Sequence, residues 1–173
     1  MTLRLVVTLF VCASTTLSAA VAGQELDKLG AFQGHWRTTG EIKETRYSKA
    51  KIKSQDEMTC GWTSNHGFMI CDQLIHAGGL INNELSIYTY NPAEHCFAFF
   101  GVARNDQQAR TTKLTITGNL WTYWDEEDDG GKHVSFRTTN RFVSPDRVEW
   151  RSEYSEDGMH WVLMGEGADT RIR

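Results

Sequence analysis

An all-β, up-and-down antiparallel β-barrel of about nine or ten strands, preceded by one short helix, is the fold predicted by this sequence. Three observations carry that prediction. From Trp36 onward the chain runs in short segments rich in Thr, Tyr, Trp, Phe, Val and Ile. Turn chemistry separates them at close spacing: Asn65-His66-Gly67, Gly78-Gly79, Asn91-Pro92, Asn105-Asp106, Gly118-Asn119, Asp128-Asp129-Gly130-Gly131, Ser144-Pro145-Asp146 and Asp157-Gly158. Helical spacing occurs only in Gln24–Phe32, through Leu26, Leu29 and Phe32.

The chain opens on Arg4, an apolar run from Leu5 to Val11, and small residues ending Ala19-Ala20-Val21-Ala22-Gly23. A basic start, a short apolar stretch and a small-residue cleavage site read as a signal peptide over residues 1–22, leaving residues 23–173 as a single barrel domain, periplasmic or extracellular. The apolar run is too short to cross about 30 Å of hydrocarbon as a helix, so no stable membrane span is expected after cleavage. Cys12 does not read as a lipidation site, because Val11 stands before it where a small residue is needed. Without Arg4, 17 basic side chains face 22 acidic ones and no Lys/Arg cluster is present, which argues against nucleic acid as a partner.

Cys60 and Cys71 flank the Asn65-His66 turn so that a two- or four-residue loop sets them directly opposite each other, at a Cα separation a disulfide can span. A structural bridge is the reading in an oxidising compartment; buried reduced thiols are the alternative. Cys96 is left over and reads as a small buried hydrophobe.

His35, His66, His76, His95, His133 and His160 form no metal-binding spacing, and no nucleophile elbow, phosphate loop or nucleotide fingerprint occurs, so no metal, cofactor or catalytic residue is assigned. The acidic run Asp125–Asp129 invites calcium, but neighbouring strand residues point to opposite faces, and a solvated hairpin tip is expected.

The last two hairpins can be registered. Asp157-Gly158 as a two-residue loop pairs Tyr154 with Trp161, Ser152 with Leu163, Trp150 with Gly165 and Val148 with Gly167. A three-residue Ser144-Pro145-Asp146 loop pairs Phe142 with Val148, Asn140 with Trp150, Thr138 with Ser152 and Phe136 with Tyr154. Glu149, Arg151 and Glu153 then share the opposite, solvent face with Arg137 and Arg141. A loop one residue different would bury Arg141 beside Trp150. The inward face becomes Phe136, Thr138, Asn140, Phe142, Trp150, Ser152, Tyr154 and Trp161, an apolar wall with a few polar groups, suited to a small ligand in the lumen. The alternative is that these rings simply fill the barrel as core.

Gly34-His35-Trp36 at the first strand and Arg171 in the last, with Arg173 as alternative, resemble the calycin (lipocalin-like) superfamily. There a Gly-x-Trp opens the barrel and a terminal-strand arginine packs over the tryptophan. The resemblance implies that Trp36 and Arg171 close one barrel end through a cation–π contact. Over residues 26 to 173 the chain also resembles a family of exported bacterial proteins known as a domain of unknown function. Cys60-Gly-Trp62, Gly67-Phe-Met-Ile-Cys71, Tyr90-Asn-Pro92, Gly101, Asp157-Gly-Met-His-Trp161 and Met164-Gly-Glu-Gly167 carry that resemblance. It implies a calycin-type barrel and no activity. Nitrobindin-like haem barrels continue Trp-x-Gly-x-Gly, whereas Trp36 is followed by Arg37-Thr-Thr-Gly40-Glu41, a departure that argues against haem.

The expected function is binding of a small hydrophobic molecule in the lumen. An envelope interaction protein with a filled core is the second reading. A barrel isomerase or lyase using Tyr154 as acid or base and Asn140 as oxyanion donor is the third.

Overall fold

The structure, a computed structural model, describes residues 22–104 and 109–173. The expected signal peptide lies outside these except for Ala22, and the Asn105-Asp106 turn lies outside them entirely. Residues 22–28 are helical and run into a single 3-10 turn, Leu29–Phe32. Ten strands follow: β1 (Gly34–Ile42), β2 (Ile52–Trp62), β3 (Met69–Ala77), β4 (Leu80–Asn91), β5 (Cys96–Ala103), β6 (Ala109–Thr117), β7 (Leu120–Asp129), β8 (Lys132–Ser144), β9 (Arg147–Ser155) and β10 (Val162–Ile172). Each pairs antiparallel with its sequence neighbours, and β1 pairs with β10, so the sheet closes on itself as the up-and-down barrel the sequence predicts. Among the described residues closure leaves no unpaired sheet edge.

The two ends differ. At one, Leu29 and Phe32 are inserted as a stopper, and the Phe32 ring packs on Trp36, Trp121 and Phe142 at centroid distances of 5.9, 4.9 and 5.1 Å. Fully buried Trp36 donates its indole N–H to the Phe32 carbonyl at 2.7 Å, which ties stopper to wall. The Arg171 guanidinium lies 4.2 Å over the Trp36 ring, and Arg171 also donates to the carbonyls of Ala31 and Gln33 and, from β8–β9, of Pro145. One side chain thus joins the helix, the first strand, the last strand and a hairpin.

The registers show which turn readings hold. Cys60 faces Cys71 across β2–β3 and the two are disulfide-bonded, with Cα atoms 4.0 Å apart. Closing a loop of 11 residues removes unfolded-chain entropy worth about 2 to 3 kcal/mol. Reduction, or the Cys60→Ser/Cys71→Ser pair, is expected to lower urea-unfolding stability by that amount with the far-UV spectrum unchanged. Cys96 is half-buried and unbridged.

The β8–β9 pairs Phe136–Tyr154, Thr138–Ser152, Asn140–Trp150 and Phe142–Val148 match the sequence reading. The β9–β10 pairs do not: Tyr154 faces Val162, not Trp161, Ser152 faces Gly165, not Leu163, Trp150 faces Gly167, not Gly165, and Val148 faces Asp169, not Gly167. The cause is Asp157, whose carboxylate accepts the backbone N–H groups of Met159 and His160 at 2.8 and 2.7 Å and so builds a wider side-chain-stabilised loop. A bulge between Leu163 and Gly165 then shifts the register once more and restores the face-to-face alternation.

Candidate functional site

Inside the barrel lies a cavity of about 700 Å³, within the range of small-molecule sites. It runs from the Phe32 stopper to an open end, where residues 43–51 between β1 and β2 fold against the barrel. Arg46 there ion-pairs with Asp129 and Glu156, and Tyr47 packs edge-on to Phe136 and Tyr154 at 5.4 and 5.1 Å. Tyr47 and Phe136 line the cavity from this end.

Room for the cavity comes from glycine. Gly40, Gly165 and Gly167 stand on β1 and β10 beneath the Trp150 indole. A methyl group on Gly167 would stand 2.7 Å from both the ring and the Gly40 Cα, and one on Gly40 would collide with the ring. Gly40→Ala is therefore expected to push Trp150 into the lumen at a cost of about 1 to 3 kcal/mol, with a shift of tryptophan emission.

Five of the eight inward residues named from sequence line the cavity: Phe136, Thr138, Asn140, Trp150 and Ser152. The Thr138 and Ser152 hydroxyls bond each other at 2.8 Å. Phe142 lies deeper, packed on Phe32 and Trp121 in the closed end. Tyr154 belongs to the aromatic cluster with Tyr47 and Phe136. Trp161 is on the outside, because the wider Asp157 loop moves it off the inner face. The Arg137 guanidinium lies 4.0 Å over its ring, and Trp124 meets it edge-on at 6.1 Å. Beneath that pair Glu153 accepts from Arg137 and Arg151 at 2.7 and 2.9 Å; burial pushes its carboxyl up, but the two guanidinium bonds outweigh this and hold it below the usual range.

Tyr154 and Asn140 do not converge. Their cross-strand partners are Phe136 and Trp150, so they stand four positions apart along paired strands, roughly 13 Å. The acid and oxyanion-donor arrangement has no common target.

The rest of the lumen wall is more polar than β8 and β9 alone imply. Among the described residues Asp56, Glu84, Asp125, Glu127 and Asp169 line it, against one guanidinium, Arg110. The acidic run is thus not wholly a solvated tip: Asp125 and Glu127 turn inward, while Glu126 and Asp128 flank His133 and Asp129 meets Arg46. Among the described residues no three His, Cys, Asp or Glu side chains converge as a metal site.

The two most buried of these acids flank Thr38. Thr38 on β1 is the cross-strand partner of Asp56 on β2 and Asp169 on β10, and both carboxylates are only 6% exposed. Asp169 accepts the Thr38 hydroxyl at 2.8 Å; Asp56 accepts the Gln73 amide and the His76 backbone N–H, both at 3.3 Å. Burial, with the neighbouring Asp56 charge adding to it, pushes the Asp169 carboxyl up to about 6, and burial raises Asp56 as well. Facing them, Tyr88, Phe99 and Tyr123 pack ring on ring at 5.0 to 6.4 Å. Burial lifts the Tyr88 and Tyr123 phenols, and the Asp169 charge lifts them further. Among the described residues the Tyr123 hydroxyl and the Trp150 indole N–H are buried with no group in hydrogen-bond geometry; Tyr88 and Asn140 lie near the Tyr123 oxygen without meeting it.

Sequence reasoning missed Thr38, Asp56, Tyr88, Tyr123 and Asp169. A signal for Asp169 existed: it lies two residues beyond Gly167, on the parity already assigned to the inner face.

No family model matches the chain, and no curated protein matches it either. Among solved structures it is similar to Rv2717c from M. tuberculosis, with a TM-score of 0.60 and 14% identity over 86% of this chain and 97% of that one. It is likewise similar to the S-type phycobiliprotein lyase CPES from Guillardia theta, with a TM-score of 0.58 and 8% identity over 92% and 98%. At these identities the likeness is one of fold, that of a closed antiparallel β-barrel.

Proposed function

We propose that this is an exported binding protein that carries or sequesters a small amphiphilic molecule in its barrel lumen. The observation that carries this is a cavity of about 700 Å³, closed at one end and open at the other, whose wall holds two buried donors without partners. A buried polar group left unpaired costs about 1 to 3 kcal/mol, so a ligand that satisfies it gains affinity. The aromatic walls supply the apolar contact. The disulfide favours an oxidising compartment, and no helix among the described residues is long and apolar enough to cross a membrane. Membership of the exported family of unknown function remains part of this proposal.

Native mass spectrometry tests it. Protein produced with its own leader is expected to begin near residue 23 and to carry an extra small mass that is lost on denaturation. Bare polypeptide only, with no mass recovered after incubation with a lipid and metabolite extract, would contradict it.

A second reading rests on the outer face. Leu74, Ile81, Leu85, Phe100 and Val102 are exposed together on β3, β4 and β5, the kind of patch that marks a protein contact. Light scattering that finds only monomer, with no partner recovered by cross-linking, would count against it.

A further inference from the structure

Building on the lumen as the binding site, we propose that its ligand is an organic cation: a protonated amine, amidine or guanidine on an apolar frame, its nitrogen seated between Asp56 and Asp169. Both carboxylates are nineteen-twentieths buried and on the inner face, one strand either side of Thr38, so their Cα atoms stand about 10 Å apart. An ammonium group over Thr38 can reach both. Neither carboxylate has a lysine or arginine partner among the described residues, and the single hydrogen bond to Asp169 leaves its second oxygen open. Buried charges without counterions are costly unless something pairs with them.

A second, independent feature points to the same occupant. Tyr123 lines the same cavity, its side chain is nine-tenths buried, and no group among the described residues meets hydrogen-bond geometry at its hydroxyl. It can accept an ammonium N–H. With Tyr88 and Phe99 it forms an aromatic wall of the kind that attracts cations.

The field of the whole lumen agrees. Among the described residues five lining carboxylates against one guanidinium, between low-dielectric walls, repel a fatty-acid carboxylate and draw in positive charge. A metal ion is the poorer candidate, since no three ligand-type side chains converge among the described residues.

The test is calorimetric titration at pH 7.5 with three probes sharing one apolar frame: 4-phenylbutylamine, 4-phenylbutanol and 4-phenylbutanoate. The amine is expected to bind at least tenfold more tightly than the alcohol, and the carboxylate most weakly. The Asp56→Asn/Asp169→Asn variant should lose that preference, binding amine and alcohol alike. Equal binding of amine and alcohol, or preference for the carboxylate, overturns the cationic ligand and leaves the lumen as a binding site. No binding by any of the three at millimolar concentration removes the lumen site, and this proposal with it.

Discussion

Replacing Arg171 with alanine is expected to lower the stability of the barrel by about 4 kcal/mol. The contact over Trp36 contributes about 1 to 2 kcal/mol, and hydrogen bonds from a charged donor to backbone carbonyls contribute about 1.5 to 3 kcal/mol each, part of which water restores. Loss of the guanidinium leaves the carbonyls of Ala31, Gln33 and Pro145 without it and frees the helix from the barrel end. Arg171→Lys is expected to recover little, because one ammonium cannot lie flat on the indole and reach three carbonyls in a planar fork. Urea unfolding measures the loss, and a red shift of tryptophan emission reports Trp36 becoming wet. A loss below about 1 kcal/mol would mean that the stopper is held by its apolar contacts and the Trp36–Phe32 hydrogen bond without help from Arg171.

Asp169→Asn should act in the opposite direction. A carboxyl raised in the folded protein to about 6 from an ordinary 3.8 binds its proton more tightly folded than unfolded. Its stabilising contribution is therefore complete below about pH 4 and is lost as pH rises through about 6. At pH 7.5 the buried charge opposes folding by up to about 3 kcal/mol, and an amide of the same shape removes that opposition while still accepting from Thr38. The variant is expected to be more stable than the parent at pH 7.5 by about 1 to 3 kcal/mol and nearly equal to it at pH 4. Equal or lower stability at pH 7.5 would mean that the charge is compensated inside the fold. A residue that opposes folding at neutral pH in the wall of a cavity is what a binding site requires and a filled core does not.

Much of the architecture was legible because turn residues and strand parity are local. Ser144-Pro145-Asp146 sets the β8–β9 register, and the turn around Asn65-His66, where Asn65 and Thr63 accept the Gly67 and Phe68 backbone N–H groups, places Cys60 on Cys71, because turn residues of these types announce their loop lengths. The Asp157-Gly158 hairpin was misread because a side chain decides it: the Asp157 carboxylate captures two backbone N–H groups, and Trp161 leaves the lumen for Arg137. The site was half legible. Thr138, Asn140, Trp150 and Ser152 followed from one hairpin, whereas the Asp56–Thr38–Asp169 row needs β1 to close on β10, a contact between residues 131 positions apart. The parity of Gly167 points Asp169 inward, but nothing local announces the same of Asp56 or brings the two together.

Reagent access to the lumen tests the account most directly. In a protein with Cys96→Ala and Thr138→Cys, the disulfide left intact, a small methanethiosulfonate reagent is expected to modify the new thiol in the folded state. A bulky reagent should be excluded until denaturation, since entry is past Tyr47 and Phe136 at the open end. If the small reagent too reacts only after unfolding, the interior is packed shut and the barrel has no binding lumen.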